Sequence, residues 1–463
     1  MNVLQTSFAT LVAVLLLCQS VSAGNYWRFS LAPAGTRGDF NGNSGSFVTM
    51  QQFQRYGFEK KVETSLCSTP VSRRPVFRLG QTTVSTDATV FVGCKRDVLR
   101  VTVDMTGTAA SSSVLYTASS DIVGEMMSDL TGSYLVLTTA TDVVLLDAST
   151  GSELWSQSVV AVGSAIIGLS NVYVQTSSNT VCSFEISTGN ALPCATIPEK
   201  IVSSSPLVDA SGNMFVCGST KLYLISGSTI QKDIAVNGCR DFILSAVDEI
   251  IVLDSSNTLL RIDSGSTPMN IVDNVYISSG PVNAIARAEI TAGTKIKKLY
   301  LSQDNGVTVV DSDDFASVLH HRSSQAVKDA AALTSATDFI FASQNRLIGV
   351  PVNEPGNPTV YFQEAASGQT PVYDYESRPL LLTKQVVFAL SKGSGHGLVY
   401  TECNILRSDE TPQDGVDYCP NIVYDPSVAD NFGLIIAGAA AVLLIPAGLY
   451  SCKKSGVIKC KSL

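Results

Sequence analysis

An apolar triad returns eight times between residues 85 and 400, each time followed, after a short polar turn, by a second apolar run. The triads are Val90-Phe91-Val92, Tyr134-Leu135-Val136, Val172-Tyr173-Val174, Met214-Phe215-Val216, Ile250-Ile251-Val252, Leu299-Tyr300-Leu301, Phe339-Ile340-Phe341 and Val387-Phe388-Ala389. The second runs start at Val98, Val143, Val181, Leu222, Leu259, Val307, Leu347 and Leu398, with 37 to 51 residues between successive starts. Val, Ile, Tyr, Phe and Thr fill these runs, and Gly, Asn, Asp and Ser separate them, which is the composition of strands and turns. Few runs are long enough for an amphipathic helix. Short strands that are apolar throughout bury both faces of their sheet. A sheet of this size with two apolar faces cannot stand alone, so neighbouring units must stack.

A repeat of roughly 40–50 residues is that of a four-stranded propeller blade, and closing the stack into a ring removes its unmatched ends. The expected class is therefore all-β: an eight-bladed β-propeller (seven-bladed as the alternative) of four-stranded blades, plus one C-terminal transmembrane helix. Further strands precede many triads, as in Ser205-Pro206-Leu207-Val208, Gly280-Pro281-Val282 and Arg378-Pro379-Leu380-Leu381. These read as innermost strands, entered through a proline that cannot donate to the ladder. The last unit lacks an obvious outer strand. Tyr26-Trp27-Arg28-Phe29-Ser30-Leu31 is similar to the outer strand Glu153-Leu154-Trp155-Ser156-Gln157-Ser158 and is the expected closing strand.

The stretch Asp147-Ala148-Ser149-Thr150-Gly151-Ser152-Glu153-Leu154-Trp155 resembles the blade signature of the quinoprotein (pyrroloquinoline-quinone-like) propellers, in which an Asp, a Thr-Gly turn and a strand tryptophan recur. Glu185-Ile186-Ser187-Thr188-Gly189 and Asp263-Ser264-Gly265 are degraded copies, and the likeness covers about residues 25–410. WD40 propellers are the runner-up, without their Gly-His and Trp-Asp markers. Quinoprotein dehydrogenases stack their cofactor between a tryptophan and a vicinal disulfide above calcium. Here only Trp27 and Trp155 exist and no two cysteines are adjacent, so no cofactor is expected.

The two ends carry membrane signals. Met1–Ala23 reads as a secretory signal peptide, with an apolar run from Phe8 to Cys18 and the small-residue ending Val21-Ser22-Ala23. Phe432–Tyr450 is free of charge and as a helix would span roughly 28 Å, close to the ~30 Å hydrocarbon core. Asp425 and Asp430 precede it; Lys453, Lys454, Lys459 and Lys461 follow it, which places the tail in the cytosol. The expected organisation is signal peptide 1–23, propeller ectodomain 24–420, linker 421–431, transmembrane helix 432–450 and cytosolic tail 451–463. Gly433, Ala437 and Ala441 form a small-residue face on that helix, a candidate for helix-mediated self-association or assembly into a membrane complex. Lys459 and Lys461 stand third and fifth from the end and resemble the dilysine signal that returns type I membrane proteins to the endoplasmic reticulum.

Eight of the eleven cysteines lie in the body: Cys67, Cys94, Cys182, Cys194, Cys217, Cys239, Cys403 and Cys419. An even set facing an oxidising space reads as disulfides. Pairing neighbours is the simplest of roughly a hundred connectivities. No Cys-x-x-Cys or Cys/His cluster appears, so no metal site is expected.

Chemistry is sparse. The histidines are His320, His321 and His396. The first two lie at a strand end, with one ring packed. His396 sits in the glycine-rich turn Gly393-Ser394-Gly395-His396-Gly397, outside the strand–turn–helix context of a hydrolase elbow. Asp304, Asp311, Asp313 and Asp314 lack the spacing of a calcium loop and read as turn residues. No phosphate-binding glycine loop is present. A net charge of −9, with no basic footprint, sets nucleic acid aside.

The expected function is a non-enzymatic propeller in the lumen or outside the cell that binds proteins, as a single-pass type I membrane protein. Endoplasmic reticulum is favoured, with the plasma membrane, and a receptor or adhesin role, as the alternative. The plan is similar to two families that pair a quinoprotein-like propeller with a membrane span: the largest subunit of the endoplasmic-reticulum membrane complex, and the luminal domains of stress-sensing kinases.

Overall fold

In the computed structural model, each apolar triad lies in the second strand of an antiparallel sheet, and each following run in the third. The structure describes residues 56–424, apart from 69–73, 79–86, 105, 130, 204–205, 210, 247, 289–297, 323–331, 334–337, 344–345, 352–358, 364–379, 383–385, 392–393 and 408–417. They divide into two compact units, one within Phe58–Glu402 and the other holding the described parts of Phe53–Gly57 and Cys403–Leu463.

The first unit is the propeller. Seven four-stranded sheets follow one another along the chain, at 76–117, 127–158, 166–196, 207–235, 239–276, 282–322 and 332–363, and are called sheets one to seven. Within each, strand order equals chain order. An eighth sheet combines both ends of the chain: Leu380–Leu381, Val386–Ser391 and His396–Arg407, with Tyr56–Ser65 laid on the outside.

Burial explains the strand types. Val90, Phe91 and Val92 are all fully buried, because successive side chains enter the cores on opposite faces of sheet one. Sheet four does the same: Val216 joins a core shared with sheets one to three and eight, while Phe215 and Cys217 join one shared with sheets five and six. Each such side chain contributes about 1.5–3 kcal/mol when withdrawn from water. Most first strands are only two residues long, as in the buried Val76–Phe77 and Leu207–Val208, while those of sheets five and six run to eight and seven. Pro75, Pro206 and Pro281 stand directly before three of them, where a missing N–H costs no ladder bond. Outer strands face solvent, and their side chains are mostly exposed or half-buried, as in Ala110–Thr117 and Asn270–Tyr276.

The expected closing strand requires correction. The N-terminal side does close the ring, but with Tyr56–Ser65 rather than Tyr26–Leu31, which lies outside the described residues. From Lys61 to Ser65 exposed and half-buried residues alternate, as an outer strand with one wet face should. The amides of Leu66 and Cys67 donate to the Gly395 carbonyl. His396 Nδ1 lies 2.8 Å from Glu63 Oε1 and ties the same strand to its neighbour. Closure extends to sheet one, where a Cβ on Gly107 would come within 2.5 Å of Thr401 Cγ2.

In the second unit the end of the His396–Arg407 strand pairs in parallel with Tyr418–Tyr424, through Asn404↔Tyr418 and Leu406↔Val423. Among the described residues no helix is long and apolar enough to cross a membrane. Phe432–Tyr450, with Gly433, Ala437 and Ala441, lies outside them, as do Met1–Ala23, Lys459 and Lys461.

Candidate binding surfaces

The ring has two faces. The lower one carries the hairpins between first and second and between third and fourth strands. The upper one carries the hairpins between second and third strands and the links from sheet to sheet.

On the lower face, the turns between third and fourth strands of sheets one and two are built around an aspartate. Asp147 Oδ1 accepts from the amides of Ser149 and Thr150 at 2.9 and 2.8 Å, and from the Ser149 hydroxyl at 2.6 Å. Asp104 does the same for Thr106 and Thr108. Hydrogen bonds, first those from the Ser149 and Thr106 hydroxyls, hold both carboxyls down to about 2. Such groups stabilise the fold above the ordinary aspartate range, and that contribution is lost as pH falls toward their folded values. Asp147→Ala is therefore expected to lower the thermal midpoint at pH 7 and to have little effect near pH 2. An equal deficit at both pH values in calorimetry would count against this account.

The turns of sheets two, three, five and six are each sealed by a donor from the preceding sheet. Between sheets one and two, Arg100 Nη2 donates to the Ser149 carbonyl. Between two and three, Trp155 Nε1 donates to the Ile186 carbonyl and Gln157 Nε2 to the Gly189 carbonyl, both at 2.9 Å. Lys232 Nζ serves the next-but-one seam, four to five, reaching the carbonyls of Ser264, Gly265 and Ser266 at 2.9–3.0 Å. Between five and six, Arg261 donates to the carbonyls of Ser312 and Asp313, pairs with Asp273 at 3.4 Å, and lies 5.7 Å over the Phe315 ring.

Glycine makes room for these seals. A Cβ on Gly189 would stand 2.7 Å from Trp155 Cγ, and one on Gly151 would stand 2.3 Å from the Leu115 carbonyl oxygen. Phe315 holds the position of Gly151 and Gly189 in its own turn, at φ 52°, its amide donating to the Asp311 carbonyl as theirs donate to Asp147 and Glu185. The seam between sheets three and four opens instead into a cleft of about 540 Å³, with Tyr173, Ser183, Leu192, Pro193 and Gly227 among its walls.

On the upper face, three successive links present an exposed valine at one register. The amides of Val123, Val162 and Val202 donate to the carbonyls of Thr138, Gln175 and Cys217, the last residues of the second strands of sheets two, three and four. Their side chains are 40, 59 and 43 % exposed, and Val160 beside them 66 %. The inner strands of sheets one, two and three are neighbours, so these positions follow one another along an arc of the ring. Hydropathy counting does not single out these valines, because each follows another apolar residue of its link (Ile122, Ala161 or Ile201) that is more buried, and only the fold tells the two apart.

Disulfides join Cys67 to Cys94, Cys182 to Cys194 and Cys217 to Cys239, and Cys403 is also disulfide-bonded. Cys419 lies among residues whose side chains are not described. Cys67–Cys94 ties the end of the closing strand to sheet one, and Cys217–Cys239 ties sheet four to sheet five; both lie on the upper face.

The other sequence candidates are structural. His321 is buried, and half-buried His320 lies 2.9 Å from Thr308 Oγ1. Asp304 accepts from Asn283 Nδ2, Asp311 pairs with Lys298, and Asp314 accepts from the Ala316 amide. Among the described residues no group of His, Cys, Asp and Glu is arranged to hold a metal ion.

The family described as outer membrane protein assembly factor BamB matches residues 95–395, from sheet one to sheet eight. The chain belongs to this BamB-like, quinoprotein-type propeller family. Among solved structures, BamB from Moraxella catarrhalis is 13 % identical to this family member, covering 74 % of this chain and 99 % of that one, with a TM-score of 0.48. The WD40 β-propeller domain of Doa1 is 9 % identical over 75 % of this chain and 98 % of its own, with a TM-score of 0.45. No curated protein matches this BamB-like chain in sequence.

Proposed function

We propose that this chain is a non-enzymatic, protein-binding propeller facing the lumen or the cell exterior, held to the membrane by a helix at Phe432–Tyr450. The observation that carries the binding role is the valine arc. Val123, Val162 and Val202 expose apolar surface at the same register of three successive sheets, on a scaffold whose stacked cores keep them in place. Exposed apolar side chains that recur at one register of successive sheets are the surface this reading assigns to the partner. Two disulfides that fasten sheet to sheet support an oxidising compartment, where such bonds persist. The charge asymmetry around Phe432–Tyr450 supports a luminal body, and Lys459 with Lys461 supports retrieval to the endoplasmic reticulum.

Val123→Asp, Val162→Asp and Val202→Asp combined are expected to abolish co-purification of the protein partner, with a thermal midpoint within about 1 °C of wild type, since exposed substitutions cost little. A partner retained by the triple variant would contradict the binding role of this face. Lys459→Ser with Lys461→Ser is expected to shift the protein from reticular to surface staining; unchanged staining would contradict retrieval.

A further inference from the structure

The cleft between sheets three and four is a seal with its plug missing. The segment 147–158 of sheet two and the segment 185–196 of sheet three align without a gap. Asp147, Thr150, Gly151, Leu154, Trp155 and Gln157 fall opposite Glu185, Thr188, Gly189, Leu192, Pro193 and Ala195. Register agrees: Leu145 pairs with Trp155 two residues into the apolar run that starts at Val143. In sheet three the pairing Val181↔Ala195 brings Pro193 level with Ser183, again two residues in. Thus Pro193 stands where sheet two has Trp155, and Ala195 where it has Gln157. Both donors that seal the seam before are absent from this one. The proline also cuts the outer strand to Ala195–Thr196, against six residues in Glu153–Ser158.

The receiving turn is correspondingly bare. In sheet four the turn between third and fourth strands is a two-residue hairpin, Gly227-Ser228, between the paired residues Ser226 and Thr229. Gly227 has the left-handed backbone of Gly151 and Gly189, at φ 60°. A Cβ added to it would meet nothing within 4 Å, whereas Gly151 and Gly189 are covered. Tyr173 floors the cleft, 4 % exposed, with its hydroxyl 3.4 Å from the Gly212 carbonyl. Leu192 and Pro193 form one wall.

The geometry points to a tryptophan side chain, carried by a protein partner, as the occupant: its ring lies on Gly227 and its N–H meets the turn, as Trp155 does on Gly189 and Ile186. An ammonium suits this cleft less well. Lys232 performs the same sealing against three converging carbonyls of a longer turn, whereas this seam offers a two-residue hairpin. Aromatic anchors that fill a pocket and satisfy one hydrogen bond are typical centres of protein interfaces. This inference rests on the reading of the chain as a protein-binding propeller, but it concerns the lower face, opposite the valine arc.

The test uses the full chain and N-acetyl-tryptophanamide, followed by ligand-observed NMR, with N-acetyl-leucinamide and N-acetyl-lysinamide as comparison probes. The indole probe is expected to bind at least tenfold more tightly than either. Pro193→Trp, which supplies the plug within the chain, is expected to remove that binding and raise the thermal midpoint. Ser228→Trp, on an exposed turn at the opposite lip, is expected to remove it as well, which keeps the test informative where Pro193→Trp does not fold. Val114→Ala, on the exposed outer strand of sheet one and not among the residues lining the cleft, is expected to leave binding unchanged. Equal binding of the three probes, or indole binding that survives both tryptophan variants, would overturn the inference. Partner binding that persists through the valine arc in that case would leave the upper-face reading standing.

Discussion

Trp155→Ala is expected to destabilise the propeller by about 3–5 kcal/mol, the range for removing a large buried aromatic side chain. Trp155 is 8 % exposed, lies on Gly189, and sits 6.1 Å from the Phe184 ring in a tilted pair. Its N–H also satisfies the Ile186 carbonyl. Trp155→Phe keeps part of the ring contact and loses the donor, so a smaller loss, about 1–2 kcal/mol, is expected. Coupling provides a sharper check. Gly189→Ala should be costly in wild type, because its Cβ collides with the indole as well as straining a φ of 72°. In the Trp155→Ala background only the backbone strain remains. A double-mutant cycle from denaturant midpoints should therefore show the two losses falling short of additivity by about 1 kcal/mol or more. Strict additivity would mean that the ring does not rest on the glycine. Gly227→Ala, with open space above it, should cost only its backbone strain, about 1 kcal/mol.

Replacing Cys67 and Cys94 together by serine is expected to cost about 2–4 kcal/mol, the usual range for a native disulfide. This bridge spans 27 residues of chain and fastens the closing strand to sheet one. Losing it should loosen the ring at its one junction between chain ends. The loss should accordingly appear in the exchange of Tyr56–Ser65 amides before it appears elsewhere. The Cys182–Cys194 bridge closes a loop of only 12 residues inside sheet three, so replacing both by serine should cost less. A reversed order in thermal midpoints would argue that the ring is not held at that junction.

The parts of the fold legible in the sequence were those with the strictest physical demand. Second strands are buried on both faces, so they must be apolar at every position, and all eight triads lie in them. Third strands follow at a turn's distance for the same reason. Proline-led first strands were also legible, as at Pro206 and Pro281. Outer strands were not: with one face wet, Ala110–Thr117 and Thr229–Ala235 tolerate almost any alternating sequence. Similarity to Glu153–Ser158 points to Tyr26–Leu31 as the closing strand, whereas the strand that closes the ring, Tyr56–Ser65, carries the charged run Glu59-Lys60-Lys61 and has no apolar pattern to mark it. The seals were hidden for another reason. An indole, an ammonium and a guanidinium all satisfy turn carbonyls, so Trp155, Lys232 and Arg261 share a task without sharing a residue type. The vacancy at Pro193 could have been read from the alignment of 147–158 with 185–196, once the role of Trp155 was known.

Ring closure from both chain ends is tested most directly by hydrogen–deuterium exchange of the intact protein over Tyr56–Ser65, the strand on which the circular arrangement depends. Protection of its ladder amides to the level of Glu153–Ser158, lost on reduction of Cys67–Cys94 ahead of the remaining sheets, is the predicted result. Exchange of this segment at the rate of free chain, while Val386–Ser391 and His396–Tyr400 stay protected, would contradict it.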